Sequence, residues 1–136
     1  MIGCIIQARM GSSRLPGKVL MKSDNKKPLL YYVINQLEYC SEVKNLVIAT
    51  TTNQEDDEIE KFATSHSINV FRGSEKDVLD RYFQCAKKYS FSTIVRITSD
   101  CPLIDPQIVD MVIEKFFSDN YDYATNTLTR TFPIGT

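Results

Sequence analysis

Short runs of β-forming apolar residues alternate along this chain with longer stretches whose apolar residues recur at helical spacing. The predicted strands cover residues 2–7, 45–50, 68–71, 92–98 and 122–125. Strands and helices that alternate in this way are joined by right-handed crossovers, which build a mostly parallel sheet flanked by helices. The alternation therefore predicts an α/β, Rossmann-like, doubly wound fold.

Three of the intervening stretches each carry one apolar stripe of helical period, within residues 29–37, 78–86 and 108–117. Pro28 and Pro106 suit the first positions of two of these helices, and Asp105 suits a helix cap. Asn53 precedes a run of acidic residues that suits the first turn of a fourth helix. The chain is thus predicted to follow each of its first four strands with a helix.

The first, second and fourth predicted strands are nearly continuous in apolar residues, as expected for strands that helices cover on both faces. In the common strand order 3-2-1-4-5, the first and fourth strands are neighbours where the winding of the sheet reverses. Ligands of such sheets bind at the carboxyl ends of the strands. The loops that follow residues 7 and 98 are therefore the predicted binding crevice.

Composition limits the classes of partner. The 136 residues fit one domain, residues 1–136, and 16 basic against 17 acidic residues leave a net charge of -1. This balance argues against nucleic acid or a membrane surface as a partner. No apolar run reaches the roughly 18 residues that span a bilayer, so we expect a cytoplasmic protein. The four scattered cysteines and the single His66 predict buried reduced thiols rather than a zinc site or a disulfide framework.

The loop after the first strand, residues 7–18, is the most unusual local sequence. It combines glycines, hydroxyls and cations, namely Gly11, Gly17, Ser12, Ser13, Arg9, Arg14 and Lys18. Glycines let backbone N–H groups approach phosphate oxygens, and the cations can offset charge on a leaving pyrophosphate. The loop therefore indicates a polyphosphate site, with a solvated polar surface loop as the alternative.

Two familiar phosphate-binding patterns do not fit this loop. A Walker loop has four residues between its glycines and a Ser or Thr after the lysine, whereas here five residues separate Gly11 from Gly17 and Val19 follows Lys18. The pattern G-x-G-x-x-G of dinucleotide-binding proteins is also missing from the sequence. The loop is therefore a phosphate-binding candidate of another type.

Three segments carry a resemblance to a known family. They read IIQARMGSSRLPGK at residues 5–18, RGSEKDVLDRY at residues 72–82 and RITSDCPLID at residues 96–105. In this order they resemble the cytidylyltransferase family that includes acylneuraminate cytidylyltransferases and spore coat polysaccharide proteins, with the closer likeness to the spore coat branch. The resemblance implies a fold of the nucleotide-diphospho-sugar transferase type. It also implies transfer of CMP from CTP to a sugar or sugar acid, with release of pyrophosphate, in the biosynthesis of surface polysaccharide or glycan.

The resemblance assigns roles to particular residues. It implies that Arg9 and Lys18 hold the phosphates of CTP and that Asp100 binds Mg²⁺, with an acidic turn residue as the alternative for Asp100. It also places the segment around Ser74, Asp77 and Arg81 near the base and ribose. The loop after the first strand and the end of the second strand add the other nucleotide-binding candidates, which are Ala8, Gly11, Ser12, Ser13, Arg14 and Thr50.

Two of these assignments have structural alternatives of equal weight. Asp77 and Arg81 lie four residues apart and could instead form an ordinary ion pair on a helix surface. Thr50 and its neighbours Thr51 and Thr52 could bond the base or could be plain strand and turn residues. We expect His66 to be a loop histidine without a catalytic role.

Relatives in this family are expected to continue beyond residue 136 with an acidic Asp-x-Glu segment that supplies further metal ligands. A second portion then completes the sugar site and a homodimer. The resemblance therefore implies that residues 1–136 form the amino-terminal part of a longer enzyme. The alternative functions are a nucleotide-binding module without catalysis and a nucleotidyltransferase that uses another triphosphate.

Overall fold

The structure is a computed structural model that describes residues 1–23, 26–129 and 132. The residues that close the sequence, 130–131 and 133–136, lie outside this part of the chain, as do Asp24 and Asn25. The elements in chain order are β1 (Ile2–Gln7), β2 (Lys22–Ser23), β3 (Lys27–Pro28), α1 (Leu29–Leu37), β4 (Leu46–Thr51), α2 (Asp57–Ser65), β5 (Asn69–Gly73), α3 (Val78–Lys88), β6 (Thr93–Thr98) and α4 (Pro106–Phe117).

A parallel four-stranded sheet in the order β5-β4-β1-β6 forms the centre of the molecule. This is the predicted 3-2-1-4 order, with the first and fourth of the long strands side by side. β1 pairs with β6 in the register Gln7 to Thr98 and with β4 in the register Gln7 to Ala49. The carboxyl ends of three strands are therefore level with one another at one edge of the sheet.

Helices cover the two faces of the sheet unequally. Cys4 and Ile6 of β1 point into a core shared with α1, α2 and α4, while Ile5 points into a smaller core under α3. The alternation of side chains along a strand places these neighbours on opposite faces. Among the described helices, α3 alone packs on the second face, because the chain crosses from β5 back over the sheet to β6.

The predicted fifth strand, residues 122–125, is wrong, because these residues have no strand pairing in the structure. They lie along a groove of about 720 Å³ between β6 and α4, and Tyr123 is 77% exposed. β-forming residues make a strand only where another strand accepts their backbone hydrogen bonds. The far edge of β6 is consequently unpaired within the described residues, and the side chains of Ile94 and Arg96 on this strand are exposed.

Helix starts follow local chemistry. Asp105 caps α4 by accepting hydrogen bonds from the N–H groups of Gln107 and Ile108, with Pro106 at the first helical position as predicted. Pro28 instead lies just before α1 in an extended conformation, because it closes the short β2–β3 hairpin. None of the helices in the described ranges is long and apolar enough to cross a membrane.

Candidate functional site

The carboxyl edge of the sheet brings the two predicted loops together. The residue after β6, Ser99, donates its N–H to the carbonyl of Gln7 at 3.1 Å, and Ala8 donates to the carbonyl of Ala49 at the same distance. These bonds extend the pairing of β1 beyond its last strand residue on both sides. The loop after β1 therefore leaves the sheet directly between the loops after β4 and β6.

The peptide groups around Met10 hold the loop after β1 closed. The Met10 carbonyl accepts hydrogen bonds from the N–H of Ser12 at 2.9 Å and from that of Gly17 at 2.8 Å. Gly17 has a φ of 73°, which favours glycine, and it turns the chain into a single helical turn that starts at Lys18. The loop is thus a fixed arch over residues 10–17 rather than an open polar segment.

Lys18, a predicted phosphate-binding residue, and Asp100, the predicted metal ligand, are in direct contact. Lys18 Nζ lies 2.9 Å from Asp100 Oδ2, and both side chains are partly exposed. The hydrogen bond from Lys18 lowers the pKa of the Asp100 carboxyl, so this group is ionised at neutral pH. The structure therefore brings the loops after β1 and β6 into contact, and their sharing of one binding site stays a prediction.

The remaining residues of the arch face solvent to different degrees. Ser13 and Arg14 are exposed, whereas Gly11 and Ser12 are half-buried. Gly11 lies against the Glu55 carboxylate so closely that a Cβ on residue 11 would come within 2.6 Å of it. A side chain at position 11 would therefore push Glu55 away from the arch.

Next to the arch lies a cleft of about 450 Å³. Its polar walls come from β1, from the loop before α3 and from α3 itself, and its lining is Gln7, Arg9, Glu75, Lys76, Val78 and Arg81. The Arg9 side chain is about half exposed there, with Nη1 3.8 Å from Glu75 Oε1. The cleft joins the first predicted motif to the middle one, as the resemblance implied.

Arg81 is the most unusual residue of the cleft wall, because its side chain is fully buried. Its Nη1 donates to the Ser74 carbonyl at 3.0 Å, and burial lowers the pKa of its guanidinium. Asp77 instead caps α3 by accepting the N–H of Asp80 at 2.8 Å. The alternative of a surface ion pair between Asp77 and Arg81 is therefore wrong. Ser74 shapes the turn before α3, because its hydroxyl accepts the N–H of Asp77.

Four buried side-chain atoms in the described part of the chain have no hydrogen-bond partner, and all lie at this edge of the sheet. They are Gln7 Oε1, Thr50 Oγ1, Arg81 Nε and Arg81 Nη2. A buried polar atom left unpaired costs about 1–3 kcal/mol, so such atoms favour a ligand or water that satisfies them. Gln7 was not predicted as a site residue, because a glutamine at the end of a strand is an ordinary residue in sequence.

A second unpredicted residue is Asp56, which is 1% exposed. Its carboxylate accepts hydrogen bonds from the N–H of Met10 at 2.6 Å and from the N–H of Thr51 at 3.2 Å. The Thr51 hydroxyl donates to it as well. In sequence, Asp56 belongs to a run of acidic residues and resembles the first turn of a surface helix.

The other predicted polar residues have simpler surroundings. Thr52 is exposed, and the carbonyl of Thr51 accepts a hydrogen bond from Arg72, which braces the loop after β4 against α2 through Asp57. His66 is an exposed residue at the end of α2, away from the carboxyl edge of the sheet.

The cysteines behave as predicted. Three of the four are buried and all are unbridged, and burial raises the pKa of Cys40 and Cys85 to about 11. These thiols are therefore protonated at neutral pH and belong to the core rather than to a reactive site.

The described residues contain no group of three or more His, Cys, Asp or Glu side chains that could hold a metal by themselves. Mg²⁺ usually takes one or two protein carboxylates and completes its coordination with substrate phosphates and water. One ionised, partly exposed carboxylate beside a cationic arch fits this donor set. Asp100 therefore suits a metal ion that is held jointly with a nucleotide, and it does not suit a resident structural metal.

Comparison with known proteins agrees with this geometry. A sequence profile described as cytidylyltransferase matches residues 3–133. An uncharacterized protein of Methanocaldococcus jannaschii is 42% identical over 121 residues, which are 89% of this chain and 49% of that protein. The spore coat polysaccharide biosynthesis protein SpsF of Bacillus subtilis is 42% identical over 123 residues, 88% of this chain and 51% of that protein.

Among solved structures, a cytidylyltransferase from Leptospira borgpetersenii serovar Hardjo-bovis superposes with a TM-score of 0.82 at 39% identity. The match covers 88% of this chain and 50% of that one. The chain thus spans about half the length of the curated relatives it matches.

Proposed function

The chain belongs to the cytidylyltransferase family, and we propose that it forms the nucleotide-binding part of an enzyme that transfers CMP from CTP to a sugar or sugar acid. Pyrophosphate is the second product. The name of the Bacillus subtilis relative supports a place in the biosynthesis of a surface polysaccharide or glycan. The observation that carries the proposal is the contact between Lys18 and Asp100, because it joins a phosphate-binding cation and a metal-binding carboxylate in one site.

The arch over residues 10–17 is the proposed binding site for the triphosphate. Lys18 leaves the end of this arch and Arg9 lies at its start, so the two cations can hold the outer phosphates from both sides. The remaining proposed phosphate contacts come from the arch and the residue before Arg9, namely Ala8, Gly11, Ser12, Ser13 and Arg14. Cations at these places offset the charge that develops on the leaving pyrophosphate.

Asp100 is the proposed protein ligand of Mg²⁺. When bound, the metal ion supplies charge neutralisation at the phosphates and holds them in line for displacement. Lys18 contacts Asp100 at 2.9 Å and therefore has to shift part of its contact from the carboxylate to the nucleotide. Asp100 would hold the metal ion while Lys18 and Arg9 hold the outer phosphates, so that a sugar hydroxyl attacks the α-phosphorus in line and pyrophosphate leaves on the opposite side.

The cleft beside the arch is the proposed site for the base and ribose. Cytosine presents two neighbouring acceptors, O2 and N3, and one donor, the N4 amine. Arg81 has two unpaired donors and Gln7 has an unpaired acceptor, so small rotations of these side chains provide a matching set. Uracil carries a donor at N3 and an acceptor at position 4, which reverses part of this pattern. Thr50, Ser74 and Asp77 are proposed to shape the same cleft.

Residues 1–136 are proposed to be the amino-terminal part of a longer, homodimeric enzyme. The far edge of β6 has no partner strand in the described residues, and α3 carries the exposed apolar side chains Leu79 and Phe83. An open edge strand of this kind is normally covered by further structure. This surface supports the proposal that a second portion packs against β6.

A thermal-shift panel tests the proposed nucleotide specificity. CTP with Mg²⁺ is expected to raise the melting temperature more than UTP, GTP or ATP with Mg²⁺ at the same concentration. Equal shifts for all four nucleotides would favour the alternative of a nucleotidyltransferase with another triphosphate. If the chain binds CTP but releases no pyrophosphate even when it is fused to the remaining half of a relative, the alternative of a non-catalytic module is favoured.

A further inference from the structure

Asp56 is a buried carboxylate without an ion-pair partner in the part of the chain that the structure describes. An ionised carboxylate in such a place requires several hydrogen-bond donors to replace its hydration. Three donors converge on it, the N–H groups of Met10 and Thr51 and the Thr51 hydroxyl. The Asp56 charge also favours the charged form of the buried Arg81.

All three donors require an acceptor, which explains why a carboxylate is suited to this position. An asparagine of the same size has one acceptor oxygen and an NH₂ group that can only donate. Its NH₂ group would face the N–H of either Met10 or Thr51. Asp56→Asn would therefore leave at least one backbone N–H buried without an acceptor, at a cost of about 1–3 kcal/mol.

The bond from Met10 to Asp56 reaches Lys18 through a short series of contacts. Asp56 accepts a hydrogen bond from the N–H of Met10, and the carbonyl of Met10 accepts one from the N–H of Gly17 at the far end of the arch. Gly17 immediately precedes Lys18 and sets its direction through a left-handed backbone conformation. The position of the cation that contacts Asp100 thus depends, through Met10 and Gly17, on the buried carboxylate of Asp56.

We propose that Asp56 is a positioning residue that holds the arch of residues 10–17 in the shape that binds the outer phosphates of a nucleoside triphosphate. The claim that the arch binds a nucleoside triphosphate rests on the proposed function, whereas the claim that Asp56 fixes the shape of the arch does not. Asp56 acts through Met10 and makes no contact with the nucleotide itself. It also ties the arch to the loop after β4, so the two loops keep a fixed separation.

Asp110 offers a matched control in the same chain. Its carboxylate also accepts two backbone N–H groups and one hydroxyl, from Ser41 and Glu42, but it ties α4 to the loop after α1. That loop lies at the amino edge of the sheet, opposite the arch. Asp110→Asn therefore removes a similar set of bonds without touching the proposed site.

The first test is amide hydrogen exchange of the nucleotide-free protein, followed by NMR. In Asp56→Asn the amide that faces the NH₂ group, that of Met10 or of Thr51, is expected to exchange at least about tenfold faster than in the unmodified protein, as loss of about 1.4 kcal/mol of local stability implies. Asp110→Asn should leave these two amides unchanged after correction for global stability. Unchanged exchange of both amides in Asp56→Asn would overturn the proposal whether or not the protein binds CTP.

The second test compares CTP with CMP by calorimetry. Asp56→Asn is expected to weaken CTP binding about tenfold and CMP binding less than about twofold, because the arch holds the outer phosphates. Asp110→Asn should change neither affinity. Equal losses for CTP and CMP in Asp56→Asn would contradict a positioning role at the arch. No CTP binding by the unmodified protein would instead contradict the proposed function.

A gentler pair of variants serves if Asp56→Asn does not fold. Thr51→Val removes one donor to Asp56, whereas Thr51→Ser keeps the hydroxyl. The proposal expects Thr51→Val, but not Thr51→Ser, to speed exchange at Met10 and to reduce the ratio of CTP to CMP affinity. Identical behaviour of the two variants would overturn it.

Discussion

At the scale of single residues, the proposed site depends on charges that are paired with each other before any nucleotide arrives. Lys18 neutralises Asp100, and Arg9 lies near Glu75 at a longer distance of 3.8 Å. Such pairing holds the cationic side chains and the carboxylates close together in the folded chain. A variant that removes one of these charges therefore also leaves the opposite charge without its ion-pair partner.

Replacement of Lys18 or Arg9 by alanine tests the phosphate contacts. Each variant is expected to weaken CTP binding about ten- to hundredfold, because a charge-assisted hydrogen bond contributes about 1.5–3 kcal/mol, while CMP binding changes little. Lys87→Ala, an exposed lysine of α3, is the matched control and should leave both affinities unchanged. Equal losses for CTP and CMP, measured by calorimetry, would mean that these cations support the fold alone.

Asp100→Asn tests the metal ligand. The substitution keeps the size of the side chain and removes its charge, so the protein is expected to fold and to lose the effect of Mg²⁺ on CTP affinity. Asp119→Asn, in the exposed turn after α4, is the control and should retain that effect. A Mg²⁺ titration of CTP binding that is the same in Asp100→Asn and in the unmodified protein would exclude this role.

The sequence pointed to candidate residues whose chemistry is visible in one segment, and it missed those that depend on distant contacts. Lys18 and Asp100 stand out because each lies in an unusual loop after a predicted strand. Asp56 and Gln7 look ordinary in sequence, and only the folded chain brings Asp56 to Met10, 46 positions away. The alternative of a surface ion pair between Asp77 and Arg81 is wrong for the same reason, since tertiary burial of Arg81 overrides helical spacing.

At the scale of elements, hydrophobic period and turn residues predicted the four long strands, their order and the helices between them. The fifth predicted strand failed because strand formation needs a neighbouring edge, and residues 122–125 lie over the groove beside α4 instead. Pro28 was also displaced by one position, since the β2–β3 hairpin takes it up before α1 starts. Local patterns thus predict the type of an element better than its pairing.

The tie between α4 and the loop after α1 predicts a pH-dependent stability. Burial raises the pKa of Asp110. The hydrogen bonds from the N–H groups of Ser41 and Glu42 and from the Ser41 hydroxyl outweigh this effect, so the pKa lies below its ordinary value. A lowered pKa stabilises the fold above the unfolded value of about 3.9, and the gain is lost as pH falls through the folded value.

Asp110→Asn is therefore expected to lower the free energy of unfolding by about 1–3 kcal/mol at pH 7, measured by urea denaturation. The difference between the two proteins should shrink once the pH is brought below this lowered pKa, where the carboxylate itself becomes protonated. A difference that is equal at both pH values would show that the charge of Asp110 does not strengthen this tie.

At the scale of the whole molecule, the open edge of β6 and the single carboxylate of the proposed metal site both indicate that a second portion completes the active enzyme. Residues 1–136 alone are expected to bind CTP weakly and to release pyrophosphate slowly when sugar acids are supplied, because one carboxylate places the metal poorly. Fusion of the remaining half of the Bacillus subtilis relative is expected to raise the rate of release. Rapid release by residues 1–136 alone would contradict the need for a second portion.

The central claim is that the loops after β1 and β6 form one site for a metal-bound triphosphate. The most direct measurement is an NMR titration with CTP and Mn²⁺, whose paramagnetism broadens the signals of amides close to the metal. The account predicts broadening at residues 9–18 and 98–101 that requires CTP, with no broadening in the loop that contains Ser41 and Glu42. Broadening that is centred elsewhere, or no CTP-dependent broadening at all, would contradict it.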